Sequence, residues 1–418
     1  MRSKTLALLS VTVALATADP STAARRRAWV TSVTGTGNLA SWPDAGGLGG
    51  LAAGDAICRA RAAAAGLPNA NAYRVWLSTA STDAYCHVQG LTGKRSTGCD
   101  GGTPAPAGPW YRVNTTGVLP ATESLDALVD EGVIYRSILY DEFRQPLHED
   151  PPTRYWTGTR DDGSVHASNC TSWVVASADV SGVYGEVTTT AQVWSLGAAA
   201  ACNQPQRLLC LEPGTSEPTG QKWTGAGSIV FLTSVRSTAN LATWPQAGGE
   251  AGLAAGDAIC RNLAAAAHLP APDSFFAWLS ADAVDAADRL TSDGPFWRID
   301  GVAVASSKAD LLDLSNAGSI HQFETGAYKQ GNGGGSAWTG TDGFGTATGE
   351  DCSGWTSAAI ELLARRGEAE ATLDDSWSSF NTTSCGNPLH LYCFSNAVVL
   401  FWDGFESGAT SRWSEVTP

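Results

Sequence analysis

The chain has no Cys-x-x-Cys pair, no His-Glu-x-x-His motif and no discernible Ser-His-Asp or Cys-His arrangement. Zinc coordination and the common hydrolase signatures therefore find no foothold. Lysine is scarce, at five residues, and apart from the first few residues the one basic cluster is Arg25-Arg26-Arg27. With a formal net charge of −15, the chain would be repelled by phosphate backbones and anionic membranes, so neither nucleic acid nor a membrane surface is an expected partner. The glycine-rich run at 331–335 lacks the lysine and following helix of a phosphate-binding loop. Low lysine beside abundant alanine points to a GC-rich bacterial genome.

The N-terminal residues read as an export signal. Arg2 and Lys4 precede an apolar run at 6–16, and Ala16-Thr17-Ala18 offers a small-x-small cleavage site. Residues 1–18 are the expected signal peptide, because the run is too short to span a bilayer. Their removal takes away two basic residues and no acid, leaving −17. The expected location is secreted, extracellular or at the cell surface. Ten cysteines in an exported chain read as disulfides.

Internal repetition organises the rest. Residues 33–78 align without a gap on 235–280, at an offset of 202, and most positions are identical. Gly50-Leu51-Ala52-Ala53-Gly54-Asp55-Ala56-Ile57-Cys58-Arg59 recurs at 252–261. Later the offset falls to 182, where Trp156-Thr157-Gly158-Thr159 matches Trp338-Thr339-Gly340-Thr341 and Cys170 matches Cys352. At offset 183, Trp194, Cys202 and Cys210 match Trp377, Cys385 and Cys393. The first copy is therefore about 20 residues longer, chiefly near 82–108, where Cys86 and Cys99 have no counterparts and most simply pair with each other. The expected units are domain one at 29–212, a Pro/Gly/Ser/Thr-rich linker at 213–227, domain two at 228–397 and a tail at 398–418.

Each copy reads as α+β. Opening strands are expected at 30–33 and 229–235. Alanine-rich helices are expected to open at Gly54-Asp55 and Gly256-Asp257, with Asp55 and Asp257 as caps. They end at Gly66-Leu67-Pro68 and His268-Leu269-Pro270, and short strands rich in Trp, Val and Thr follow.

These marks resemble a C-type lectin-like domain, nearest to its compact bacterial and endostatin-like branch, present in two tandem copies. They are the helix cysteine (Cys58, Cys260), the Trp-x-Gly strand, the mid-domain cysteine (Cys170, Cys352), a Trp before the next cysteine, and a closing strand bearing Cys210 or Cys393. The resemblance implies the pairs Cys58–Cys210, Cys170–Cys202, Cys260–Cys393 and Cys352–Cys385. It would also imply calcium-dependent sugar binding, but the motifs that hold calcium are missing. Trp194 is followed by Ser195-Leu196 and Trp377 by Ser378-Ser379, the proline-containing loop is absent, and only ten residues separate Thr159 from Cys170.

Candidate ligand contacts are the aromatic and arginine positions Trp110, Tyr111, Arg112, Trp297 and Arg298, read as exposed rims, and the acids Asp161, Asp162 and Asp342 after the Thr-Gly-Thr strands. A solvated acidic turn competes with calcium at those acids. Ten of the sixteen tryptophans form five matched pairs, which argues for core packing. No histidine of one copy falls opposite a histidine of the other, as a duplicated zinc or base site would require. No catalytic residue, metal or cofactor is expected. The expected function is a non-enzymatic, calcium-independent binding or adhesion protein for carbohydrate or a surface protein. The alternatives are a matrix component without a small ligand and, third, a secreted hydrolase.

Overall fold

The computed structural model describes residues 25–113, 120–148, 151–216, 225–282, 284–313, 318–329, 335–372 and 375–400. The expected signal peptide, most of the linker and the tail beyond 400 lie outside the described residues.

The chain is an α+β protein with two sheets of matching topology. In the first, β1 (Arg26–Val30) opens the fold, followed by β2 (Arg74–Val75), β3 (Trp110–Arg112), β4 (Pro120–Thr122), β5 (Arg154–Trp156), β6 (Ser181–Glu186), β7 (Ala199–Ala201) and β8 (Arg207–Leu211). Their order is β4-β3-β1-β8-β5-β6-β7, with β2 also paired to β8. The second sheet repeats it with β9 (Ser228–Leu232), β10 (Phe275–Ala277), β11 (Phe296–Trp297), β12 (Ala303–Ala305), β13 (Ser336–Trp338), β14 (Leu363–Glu368), β15 (Asn381–Ser384) and β16 (His390–Ser395). The order there is β12-β11-β9-β16-β13-β14-β15, with β10 on β16. Both opening strands begin earlier than expected, at Arg26 and Ser228.

The alanine-rich stretches form the long helices α1 (Gly50–Ala64) and α3 (Gly252–Ala266). Each starts four residues before the Gly-Asp pair, so Asp55 and Asp257 are not caps. Gly54 sits inside α1, where a Cβ would come within 2.6 Å of Val75; its absence lets the helix lie against β2. Asp55 then acts as a staple between helix and strand. Its buried carboxylate accepts the Val75 N–H at 3.0 Å and meets Arg59 and Arg74 at 3.2 Å and His87 at 2.8 Å. Asp257 takes the Ala277 N–H at 3.1 Å and pairs with Arg289. His87 in α2 (Ala84–Val88) and Arg289 in α4 (Ala286–Arg289) thus fill the same place at offset 202. This equivalence moves the insertion of copy one to the residues after α2. Helix α1 closes on Gly66, which holds φ +64° while its N–H reaches Ala63 O. In copy two His268 takes the same left-handed position.

All ten matched tryptophans are buried. Eight of them pack in pairs, with ring centroids 5.0 Å apart for Trp76–Trp194, 5.9 Å for Trp156–Trp173, 5.4 Å for Trp278–Trp377 and 6.1 Å for Trp338–Trp355. Ser195 and Ser378, each just after one of these tryptophans, accept the indole N–H of Trp76 and Trp278, each at 2.9 Å. The serine thus satisfies a buried donor.

Five disulfides join Cys58–Cys210, Cys86–Cys99, Cys170–Cys202, Cys260–Cys393 and Cys352–Cys385. They fit an oxidising compartment. Among the described residues no helix is long and apolar enough to cross a membrane. The described ends of the expected linker make isolated β-bridges. Thr215 pairs with Gly108 in copy one, and Gly227 pairs with Val399 at the start of the tail.

Candidate functional site at the seam between the copies

The two copies meet through equivalent segments. Each sheet carries a strand, β6 or β14, that ends on a glutamate, and the four residues beyond it turn toward the other copy. The Thr190 N–H donates to Glu370 O at 3.0 Å, and the Thr372 N–H donates to Thr188 O at 3.1 Å. Thr189 and Ala371 form an antiparallel bridge between them. Residues 188–190 correspond to 370–372 at offset 182, so the pairing has a local two-fold relation. The side chains obey it too. Thr190 Oγ1 lies 2.6 Å from Ser319 Oγ, and Thr372 Oγ1 lies 3.1 Å from Ser137 Oγ, again at offset 182. Val133, Tyr135 and Val302 pack together as an apolar bridge, with Tyr328 against them.

Both candidate arginines point into this seam. Arg112 Nη1 donates to Ser137 O at 3.3 Å and Arg298 Nη1 to Ser319 O at 3.1 Å. The expected exposed rims are therefore corrected: Arg298 is fully buried, Arg112 is 7 % exposed, and Trp110 and Tyr111 are core residues. Strand β3 runs parallel to β1 inside the sheet, and the Trp110 indole N–H is satisfied by Glu212 O at 2.9 Å. Trp297 is half-buried and lies against Gly227.

Arg298 is held by Asp300, with Nε–Oδ1 at 3.2 Å and Nη2–Oδ2 at 2.5 Å, and the Tyr328 hydroxyl donates to the same carboxylate at 2.6 Å. Burial opposes the charge on Asp300, yet Arg298 and these hydrogen bonds keep its carboxyl below the usual range. His321 sits 3.2 Å from Arg298, and burial followed by that cation drives its ring well below the usual value, so it stays neutral.

Beside the paired segments is a small cleft, partly open to solvent, lined by Asp161, Gln192, Trp194, Leu128 and Val129 of copy one and by Lys329 of copy two. Burial raises the Asp161 carboxyl above its ordinary value and lowers the Lys329 ammonium. Glu370 stands behind Lys329. Burial lifts its carboxyl to about 7, against the pull of Lys329 and a hydrogen bond from the Val193 backbone. The site can offer a cation, carboxylate oxygens and an amide to one small polar group.

Of the sequence candidates, Asp161 reaches the cleft and Arg112 and Arg298 reach the seam. Asp162 and Asp342 shape turns. Asp162 Oδ1 accepts the Ser164 N–H at 2.9 Å, and Asp342 Oδ1 accepts the N–H groups of Phe344 and Thr346 at 2.9 and 2.8 Å. Sequence reasoning missed Gln192, Lys329, Asp300, Tyr328 and Glu370. The available signal was the repetition of Ser137/Ser319 and Thr190/Thr372 at one offset, polar pairs with no evident reason to match. Among the described residues no three His, Cys, Asp or Glu side chains gather as a metal site. No protein-family model and no curated protein sequence matches the chain.

Proposed function

We propose that the chain is an extracellular binding or adhesion protein, not an enzyme, made of two C-type lectin-like domains that take a carbohydrate without calcium. One observation carries this reading. The seam cleft sets Asp161, Gln192 and Lys329 around one small opening, with Trp194 in its wall. Hydroxyl-rich rings are recognised by such mixed donors and acceptors beside an aromatic side chain. The repeated cysteine framework and closing strands support the lectin-like assignment, and the serines at 195 and 378 support independence from calcium, because their hydroxyls already serve Trp76 and Trp278.

The test is a glycan array probed with the full chain in calcium and again in chelator. Binding should survive chelation and fall at least tenfold in Lys329→Ala and Asp161→Ala. Loss of all binding on chelation, or unchanged binding in both variants, would reject the assigned site. A second reading, a matrix component, is favoured by Ile360, Leu362, Leu363 and Phe380, which expose apolar surface near the β14–β15 edge of copy two. Saturable self-assembly of a protein that binds no glycan would support it.

A further inference from the structure

The offset between the copies falls from 202 at His87 and Arg289 to 186 at Gly108 and Gly294, so copy one carries 16 extra residues between α2 and β3. The inserted loop is held from within. The bridge Cys86–Cys99 closes it, and the Asp83 carboxylate takes the Arg95 N–H at 2.8 Å and the Lys94 ammonium at 3.2 Å. Arg95 is thereby set over the Tyr85 ring of α2, 4.5 Å from its centroid.

Two pieces of copy one wall the seam cleft. One is the turn at 160–164, which carries Asp161. The other is the π-helical turn Ala127–Glu131, which carries Leu128 and Val129 and runs on into Gly132. Such wide turns are rare and recur at functional sites. Arg95 and Tyr85 each reach both walls. Arg95 Nη1 donates to Asp162 O at 2.8 Å, and its Nη2 donates to Asp130 Oδ1 at 2.5 Å. The Tyr85 N–H donates to Gly163 O at 3.2 Å, and its hydroxyl donates to Asp126 Oδ1 at 2.7 Å. The first wall packs so closely on α2 that a Cβ at Gly163 would lie 2.9 Å from Tyr85 Cβ.

Copy two has half of this device. Ala287 stands at the place of Tyr85, at offset 202, and its N–H still donates to Gly345 O at 3.1 Å. It brings neither ring nor hydroxyl, and Arg95 belongs to the insertion that copy two lacks.

We propose that the inserted loop braces the seam cleft, with Arg95 as its positioning residue. Together with Tyr85 it fixes the separation of Asp161 from Leu128 and Val129, and so sets the affinity of the cleft for its ligand. Arg95 does not line the cleft and acts only through the two walls. A planar guanidinium suits this task, because its N–H groups can hold two acceptors in one fixed geometry. The effect on affinity rests on the cleft being the carbohydrate site.

The test compares the full wild-type chain with Arg95→Met and Arg95→Lys, first by hydrogen exchange without ligand and then on the glycan array. Methionine keeps a side chain against Tyr85 and loses both hydrogen bonds. Lysine keeps the charge, but its compact ammonium cannot reproduce the fork. The amides of Leu128, Val133 and Gly163 bond within the two walls, and in both variants they should exchange about fivefold faster. The Gly345 amide, in the unbraced turn of copy two, should not change. Glycan affinity should fall about fivefold in both variants, while the melting temperature stays within about 4 °C, as befits a partly exposed ion pair. Full affinity in Arg95→Lys would show that charge and not bridging matters, and would overturn the inference. Unchanged exchange in the walls would overturn it too, as would unchanged affinity in Arg95→Met when Lys329→Ala and Asp161→Ala have lost theirs. A wild-type chain that binds no glycan would sink the carbohydrate reading alone. Exchange then decides the brace, which stands if the walls loosen in both variants and falls if they do not.

Discussion

Thr190 and Glu370 are joined across the seam by a backbone hydrogen bond of 3.0 Å, and the Glu370 side chain beyond that bond is buried. The carboxyl faces Lys329, Glu368, Asp161 and the Val193 backbone, and burial lifts it from 4.5 to about 7. A folded carboxyl that keeps its proton longer than the unfolded one stabilises fully below pH 4.5, and that stability is lost as pH rises through about 7. The loss is on the order of 3 kcal/mol. Glu370→Gln has no such dependence. Its stability relative to wild type should therefore climb between pH 4.5 and 7.5 in denaturant melts. A constant difference would show that Glu370 is ionised or solvated.

His390 acts with the opposite sign. Burial lowers its ring to about 4, despite its bond to Thr233 O at 2.7 Å. The unfolded ring takes a proton near 6.5, so stability is complete above that value and declines as pH falls toward 4. His390→Gln should flatten this acid limb, while wild type keeps a slope in which His321 shares. An unchanged acid limb in the variant would assign the loss to other groups.

The bridges should rank by the loops they close. Cys58–Cys210 spans 152 positions and Cys86–Cys99 only 13. In the chain-entropy model the first contributes about 5 kcal/mol and the second about 3 kcal/mol. Paired Cys→Ala variants should follow that order in urea midpoints, and peptide maps without reductant should return all five links. A larger loss at Cys86–Cys99 would mean that the insertion is essential to the core.

Asp55→Ala separates the staple from a cap. Loss of an exposed helix cap costs about 1 kcal/mol. Removing a buried carboxylate that serves the Val75 N–H, Arg74 and His87 strands those groups and should cost about 3 kcal/mol or more. Unfolding by urea distinguishes the two values.

Millimolar calcium should leave the melting temperature within about a degree, since a hundredfold excess over Kd would add about 2.7 kcal/mol. Asp162 and Asp342 already spend an oxygen on their own turns. A clear rise in calcium that vanishes in Asp161→Asn/Asp162→Asn would instead make those turns a calcium site.

The duplication, the bridge-forming cysteines and the tryptophan core were legible because each leaves a strong, repeated residue type at fixed spacing. Trp76 and Trp278 cannot be exchanged silently. The seam was not legible, because it is built from the backbone of residues 188–190 and 370–372, and backbone pairing leaves little trace in residue identity. Trp110, Tyr111 and Arg112 look like a rim in sequence because aromatic and basic residues also mark exposed sites. Only the position of β3 next to β1 reveals that every side chain there is covered. Asp55 failed as a cap for a related reason. Glycine before aspartate marks a helix start or a close approach equally well, and here Val75 decides for the latter.

A symmetric homodimer must carry every substitution twice, once on each side of its axis. The seam between these copies keeps the geometry of such an axis, yet residues on its two sides need not agree. Aspartate follows one arginine at position 300, whereas asparagine stands at the corresponding position 114. Duplication within one chain thus released the interface from enforced identity, and the tether keeps the halves at high effective concentration while they diverge. A difference that a true dimer would have to carry on both flanks is confined here to one.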